Sequence, residues 1–550
     1  MTSSQTPSES FWRRCFGIDL RALAAFRIAF ALLMIVFFLE KSLYVDMLFT
    51  DSGVLPRWVQ LKVNGHPYAF SLSMLFGNAL FQWLLWGIGL LSSLALLVGF
   101  RSNVACFGCW LIVYSFYNRC YMDLAGAETQ IMILLFWGCF LPLGACWSLD
   151  SRDTELQTRP QKVFSTATIA ILLQVLFVYF FAGLLKTLGP NWGAKGTALY
   201  YVLSLDIMGG SKPFALWLMQ RPSLLKLLTP TMMWAEILGP LLFFTPWKTS
   251  FFRTIGILSF FVMNLGILFA VEVGFFPFID VVALLLFIPS SYWDRLSSLT
   301  RWLGSYLEGF AARLLSGLAY CRLHPPVSRG MFRLSLRWQS LAALCLVYII
   351  WRNIAVCAPQ LAPPTWISNI GYITGLKQQW TMFGPTSSKM DVWFVIPGRL
   401  KSGKVVDVSV WFNKGKDDAP VQFAKPKKLH LIWRTHRMSI YFWMMARQIR
   451  DKQPWGRQHL RDLSSYLCRR WNREKKGLEA LTALDVYMML ELTPPPGQAP
   501  TITKQWLHLQ HCPLGQKLGT AEILPGPRVP LPRQKNPNTP SSHPTTQKQP

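Results

Sequence analysis

Apolar residues along this chain fall in long, almost unbroken blocks, unlike the one-face or alternating patterns of a soluble domain. A bilayer span needs about 20 mostly apolar residues. The first such block, 20–39, follows Arg13 and Arg14 and ends at Glu40 and Lys41. A secretory signal also joins a basic start to an apolar run, but a small-residue cleavage site then follows. None follows here, so 20–39 reads as an uncleaved span. Further blocks lie at 81–100, 103–116, 130–147, 164–185, 232–247, 252–270, 275–288 and 336–350. The pattern predicts about nine spans, with 275–288 the shortest.

From residue 358 the pattern changes. Segments 393–397 and 405–412 are rich in β-branched and aromatic residues, and Lys401-Ser402-Gly403-Lys404 between them has the composition of a hairpin turn. Residues 460–471 read as a helix, and 484–492 as a strand ending at Pro494-Pro495-Pro496-Gly497. A small α+β domain over 358–512 is expected. The Pro-, Gln-, Thr- and Ser-rich segment 513–550 reads as a disordered tail. Residues 300–325 place Trp302, Leu303, Tyr306, Phe310, Leu314 and Leu318 on one side of a helix. That helix would lie on the inner membrane face or pack on the bundle. The expected fold is an all-α polytopic membrane protein with a small α+β extracytoplasmic C-terminal domain. Its parts are 1–300, then 301–357 with the last span, then 358–512 and the tail 513–550.

Charge sharpens this reading. The chain carries 55 Lys+Arg against 27 Asp+Glu, a net +28, yet only 15% of its residues are charged. About 25% is usual for soluble chains. Basic charge alone would suit any anionic partner. With nine spans and a cytoplasmic N-terminus, Arg13, Arg14, Arg101, Arg152, Arg159, Lys162, Lys248, Arg253 and the arginine-rich segment 295–337 all fall on the cytoplasmic side. The partner implied is the lipid bilayer, not nucleic acid, and the C-terminal domain is extracytoplasmic. Cys357, Cys468 and Cys512 would then face an oxidising compartment, where any two could pair. Cys106 and Cys109 form a CxxC inside an apolar block and read as core. Zinc signatures, P-loops, GxSxG elbows and Rossmann fingerprints are absent from the sequence, so no metal is expected.

Ionisable residues inside spans are costly and point to function or to pairing. Arg27, Glu236 and Asp280 lie deep in the blocks and should face other helices as ion pairs. Glu128, Lys186 and Glu272 lie near span ends, where snorkelling would serve them. Asn264 and Gln174 are neutral polar members. Lys186 closes the run 177–186 and sits at the outer membrane boundary. An amine drawn out of water gives up its proton more readily, and a neutral amine can act as a general base.

The stretch 178–204 resembles the corresponding stretch of vitamin K-dependent gamma-carboxylases and of the wider horizontally transferred transmembrane (HTTM) domain family. The shared features are Tyr179, Ala182-Gly183-Leu184, Lys186, Trp192 and Leu199-Tyr200-Tyr201. Two further stretches resemble bacterial members: Phe49-Thr50-Asp51-Ser52-Gly53-Val54-Leu55-Pro56-Arg57, and Phe140-Leu141-Pro142-Leu143-Gly144 leading to Trp147-Ser148-Leu149-Asp150. So do Gln379-Trp380-Thr381-Met382-Phe383-Gly384-Pro385 and Tyr466-Leu467-Cys468-Arg469-Arg470-Trp471-Asn472. In the carboxylases the lysine matching Lys186 deprotonates vitamin K hydroquinone. Oxygenation of that anion yields a stronger base, which takes a γ-proton from a protein glutamate, and the carbanion then takes carbon dioxide. The resemblance implies Lys186 as catalytic base and Tyr179, Trp192 and Tyr200 as lining for a vitamin K-like or other quinol. It departs at Asn118-Arg119-Cys120, where the carboxylases carry an Asn-His pair, and the propeptide-binding region is not seen.

Three functional readings follow. The first is a carboxylase-like enzyme of the bacterial cytoplasmic membrane that modifies a peptide or small molecule on the extracytoplasmic side. The second is a non-enzymatic maturation or export factor for a secreted peptide or protein client, with Trp380, Phe383, Trp393 and Trp411 as contact surface. A transporter, motivated by Arg27, Glu236, Asn264 and Asp280, ranks last.

Overall fold

Nine helices stand where the apolar blocks lie: α1 (Leu20–Ser42), α2 (Ala79–Val98), α3 (Ser102–Arg119), α4 (Gly126–Gly138), α5 (Thr166–Thr187), α6 (Pro222–Phe243), α7 (Thr249–Ala270), α8 (Phe276–Leu284) and α9 (Leu336–Cys357). The computed structural model describes residues 10–64, 66–122, 126–151, 160–193, 195–296, 328–332 and 335–513. Among the described residues, α1, α2, α5, α7 and α9 are long and apolar enough to cross a membrane. The bent pair Phe276–Phe287 and Ser290–Leu296 is a sixth span if taken as one. The other expected spans are less regular. Helix α4 has 13 residues, a rise of about 20 Å against the roughly 30 Å of a bilayer core. Helix α6 contains Pro230 and Pro240.

Helix α5 is the centre of the bundle. It begins at a capping box between Ser165 and Thr168, and it packs against α4, α6, α8 and α9. In its apolar window 72% of residues are buried, against 56% or fewer in the other four. Two stretches singled out in the sequence shape the helix ends. Asp51 and Arg57 form a two-pronged ion pair, and Arg57 also donates to the Met74 and Leu75 carbonyls. Asp150 accepts from the Arg101 and Ser102 amides at 2.6 and 2.7 Å and so caps the start of α3. Arg27 donates to the Trp147 carbonyl and ties α1 to that same turn.

Three short strands, β1 (Ile18–Asp19), β2 (Pro160–Val163) and β3 (Ser328–Phe332), form one small sheet. They come from three segments that the loop charges assign to a single side. The larger sheet holds β4 (Met390–Val395), β5 (Pro397–Leu400), β6 (Val405–Asp407), β7 (Leu481–Leu492) and β8 (Thr501–His511). β7 is central, paired with β4, β5 and β8, all antiparallel. Helices α10 (His436–Arg450) and α11 (Gly456–Glu474) pack on this sheet.

A hairpin does turn at Lys401–Lys404, with Gly398 opposite Val406, but its first arm is β5; residues 393–395, expected as that arm, lie in β4 and pair with β7 instead. The second arm is shorter than its composition implied. At Asp407 the side chain accepts from the Ser409 amide, and Val408–Lys414 turns into a helix. Helix α10 and strand β8 lie outside the elements the sequence pattern predicts. Trp380, Trp393 and Trp411, expected as a contact surface, are buried in the core instead. The amphipathic segment 300–325 and the tail from 514 lie outside the described residues.

The membrane helices and the C-terminal domain belong to one compact unit, Met1–Cys512. Arg437 of α10 pairs with Glu40 at 2.6 Å and also with Glu128, so one guanidinium joins the domain to two helices of the bundle. Glu128 and Glu272 therefore do not snorkel. Glu272 pairs with Lys212 at 2.9 Å. The neighbouring chain covers these span ends, and pairing replaces solvent. Cys468 and Cys512 form a disulfide, and Cys357 is free.

Candidate functional site

Along α5 the polar positions are few and spaced for one face. Tyr179 and Lys186 stand seven residues apart, two helical turns, with Gly183 between them. Gly183 meets α6. A Cβ there would lie 2.7 Å from Ile237 Cγ1, 3.1 Å from Glu236 Cβ and 3.2 Å from the Met233 carbonyl oxygen. The missing side chain lets α6 approach α5, which brings Glu236 to Lys186. The amine donates to both carboxylate oxygens of Glu236, and both residues are buried. Lys186 thus does not reach for headgroups as a snorkelling lysine would. A carboxylate supplied by the next helix satisfies it inside the protein.

Trp192 closes one side of the pair. Its ring centroid lies 4.6 Å from the Lys186 amine. Its indole N–H donates to the Phe383 carbonyl at 2.8 Å. Gly384 lies over the other side, where a Cβ would come within 3.2 Å of Lys186 Cγ. Pro385 is against Gly189, with its carbonyl oxygen 1.7 Å from the position a Cβ would take there. The stretch 379–385, picked out in the sequence for its resemblance, is therefore packed directly on Lys186.

This stretch runs along α5. At its start Gln378 exchanges two amide hydrogen bonds with Gln174, at 2.8 and 3.1 Å. Trp380 also donates to Gln378 Oε1 at 2.7 Å. From Gln174 to Lys186 the helix rises about 18 Å. The chain reaches Lys186 through a turn in which the Gly384 amide donates to the Thr381 carbonyl at 3.2 Å. Gln378 and Gly384 thus meet α5 at two points about 18 Å apart, and the irregular segment between them forms a strap over half the length of the central helix. Irregular backbone is tolerated at that depth where protein surrounds it, and both Gln378 and Trp380 are 1% exposed.

A second polar cluster lies two turns further along the same face. The Tyr179 hydroxyl donates to Asp280 at 2.8 Å and accepts from Asn264 at 2.7 Å. These groups come from α5, α8 and α7. Of the deep charges expected as ion pairs, Glu236 forms one with Lys186, whereas Asp280 is held by the neutral Tyr179 hydroxyl, which Asn264 also contacts, and Arg27 donates to the Trp147 carbonyl. Of the residues expected to line the site with Lys186, Trp192 touches it. Tyr179 belongs to the neighbouring cluster. Tyr200 points elsewhere, with its hydroxyl 3.4 Å from the Pro494 carbonyl.

The departure at Asn118-Arg119-Cys120 has a structural role. Asn118 donates to the Phe70 carbonyl at 2.8 Å, and the buried Arg119 donates to Phe49 at 3.0 Å. Beside it, the Tyr121 hydroxyl and His459 Nε2 share a hydrogen bond. A histidine does stand next to this segment, but it comes from α11, far along the chain. Sequence spacing alone gives no sign of that approach. Nor does it pair Glu236 with Lys186, since Gly183 is the only local hint of a close helix crossing.

The arrangement offers a buried amine, a carboxylate able to exchange a proton with it, and an indole face, under a strap from the C-terminal domain. The family described as HTTM domain matches the chain over residues 17–293, just over half its length, and spans every one of these groups except the strap. No curated protein and no solved structure matches the chain.

Proposed function

The chain belongs to the HTTM domain family, and from that premise we propose that it catalyses a quinol-linked, carboxylation-like modification of a peptide or small molecule, with Lys186 as the base. It is a multi-pass membrane protein with several apolar spanning helices. The observation that carries the reading is the Lys186–Glu236 pair, buried under Trp192 and the strap. To act as a base, Lys186 must first be rid of its own proton, and Glu236 is the group placed to take it. The amine is then free to accept a proton from an acidic hydroxyl, while the Trp192 ring gives a flat apolar group a surface to lie against.

A vitamin K-like or other quinol fits this donor set. When bound, it supplies an acidic hydroxyl and a store of electrons. The chain's own groups hold and move the proton, and the strap keeps water away from the pair. Reaction on the extracytoplasmic side is supported by the Cys468–Cys512 disulfide in the domain that covers the site, since disulfides persist in oxidising compartments. The meeting of β1, β2 and β3 agrees with the parity of the nine-span reading, in which their three segments share one side.

The test uses the full-length protein in lipid vesicles. It measures oxidation of an added naphthohydroquinone and uptake of labelled carbon dioxide into peptide. Lys186→Ala should abolish both while the protein stays membrane-inserted. Undiminished rates in that variant would remove Lys186 from the chemistry and leave a non-enzymatic maturation or export factor as the better reading.

A further inference from the structure

Where α1 ends, the chain passes under α11, and a cavity of about 280 Å³ opens between them. Four arginines line it, Arg434, Arg469, Arg470 and Arg473, against two carboxylates, Asp46 and Glu474. Three of the guanidiniums are held in place by the fold. Arg469 donates to the Ser52 carbonyl at 2.8 Å, and Arg434 donates to the Asn413 carbonyl at 3.2 Å. Arg470 lies over the rings of Trp411 and Phe412. Glu474 answers only part of this charge, through Arg470 at 3.4 Å. Tyr44 lines the same wall. Preset guanidiniums are what a phosphate needs, because a planar fork meets its oxygens two at a time.

A second feature runs up to this cavity. Leu32, Val36 and Leu39 on α1, and Leu43 just past its end, are all exposed. Their spacing of i, i+4, i+7 and i+11 puts them in one row. Helix α1 is long and apolar enough to cross a membrane, so the row faces hydrocarbon. Leu43 is also part of the cavity lining. An apolar row that ends in an arginine-lined cavity matches an amphiphile with one anionic end.

We propose that this cavity binds the phosphate headgroup of an anionic phospholipid, whose acyl chain lies along the Leu32, Val36, Leu39 and Leu43 row. The site is separate from Lys186, and it would hold the C-terminal domain to the membrane surface through its own helix α11.

Native mass spectrometry of the purified full-length chain tests this, with phosphatidylglycerol, phosphatidylcholine and inorganic phosphate as probes. Phosphatidylglycerol should be retained in preference to phosphatidylcholine, and millimolar phosphate should not displace it. Losing two charged hydrogen-bonding groups in Arg470→Gln/Arg473→Gln should weaken retention about tenfold or more. Arg457→Gln/Arg461→Gln makes the same charge change on the same helix outside the cavity and should leave retention unchanged. If the double variant does not fold, Leu43→Gln should still weaken phosphatidylglycerol retention. Equal retention of phosphatidylcholine, or full retention of phosphatidylglycerol in the cavity or row variants, overturns the proposal. Displacement by inorganic phosphate at the lipid's own affinity overturns it in favour of a free phosphate site.

Discussion

Lys186 donates to both carboxylate oxygens of Glu236, a residue fifty positions further along the chain. Removing one partner of such a buried pair strands the other charge and costs about 3–5 kcal/mol, whereas replacing both by apolar residues is often neutral or better. Lys186→Met and Glu236→Leu should each lower the unfolding midpoint in detergent, and the double variant should recover much of the loss. Lys186→Arg separates support from chemistry. An arginine keeps the pairing but does not give up its proton. It should preserve stability and abolish quinol oxidation. Retained activity in Lys186→Arg would mean that Lys186 is not a base.

Gly183 sets how near α6 comes to that pair. An added Cβ would meet Ile237 at 2.7 Å and the Met233 carbonyl at 3.2 Å. The Ile237 side chain can shift, but the backbone oxygen yields only if α6 moves. Gly183→Val should cost about 1–3 kcal/mol by overpacking and should lengthen the Lys186–Glu236 contact. Thermal unfolding and quinol oxidation should both fall in that variant. Unchanged values would mean that the helix crossing tolerates a side chain there.

The strap depends on Gln174. Gln174→Leu leaves the Gln378 amide without its reciprocal partner inside the protein, a loss of about 1–3 kcal/mol. Its consequence should be local opening of 375–385, read as faster hydrogen exchange there in lipid discs. If exchange in that segment stays at its native rate, the amide pair does not hold the strap.

Much of this fold could be read along the chain. The apolar blocks gave the positions of the nine helices, because long apolar runs have no other stable home. Their capacity to span was less legible, since α4 and α8 are short and gain their place by packing within the bundle. In the C-terminal domain, the β5–β6 turn was marked by its glycine and lysines. The helix at Val408–Lys414 was not, because one aspartate cap overrides a β-branched composition. Lys186 and Trp192 were found through resemblance and do meet. Glu236, the strap and His459 reach the site region by long-range packing, which no local pattern encodes.

Low pH tests how tightly the C-terminal domain is closed against the bundle. His459 is buried beside Tyr121, and burial pushes its imidazole down from 6.5 to about 4. His436 is pushed down to about 4 in the same way, chiefly by burial. Between these values the unfolded chain binds protons that the folded chain refuses, so stability from both histidines is full above 6.5 and is lost as pH falls toward 4. Asp462 acts in the opposite sense. Burial pushes its carboxyl up from 3.8 to about 6, so the folded chain holds a proton that the unfolded chain releases. Its contribution is present at acid pH and is lost as pH rises through 6. Asp391 and Asp407, also raised mainly by burial, share that sign. The native protein should therefore lose stability on acidification from above 6.5 toward 4, with His459→Gln showing a shallower loss. In His459→Gln/His436→Gln the acid loss should shrink further, because only His66 and His430, also pushed down mainly by burial, then oppose the raised carboxyls in the window. Unfolding midpoints measured across that range decide the matter, and an acid loss undiminished in the double variant would place its origin in other groups.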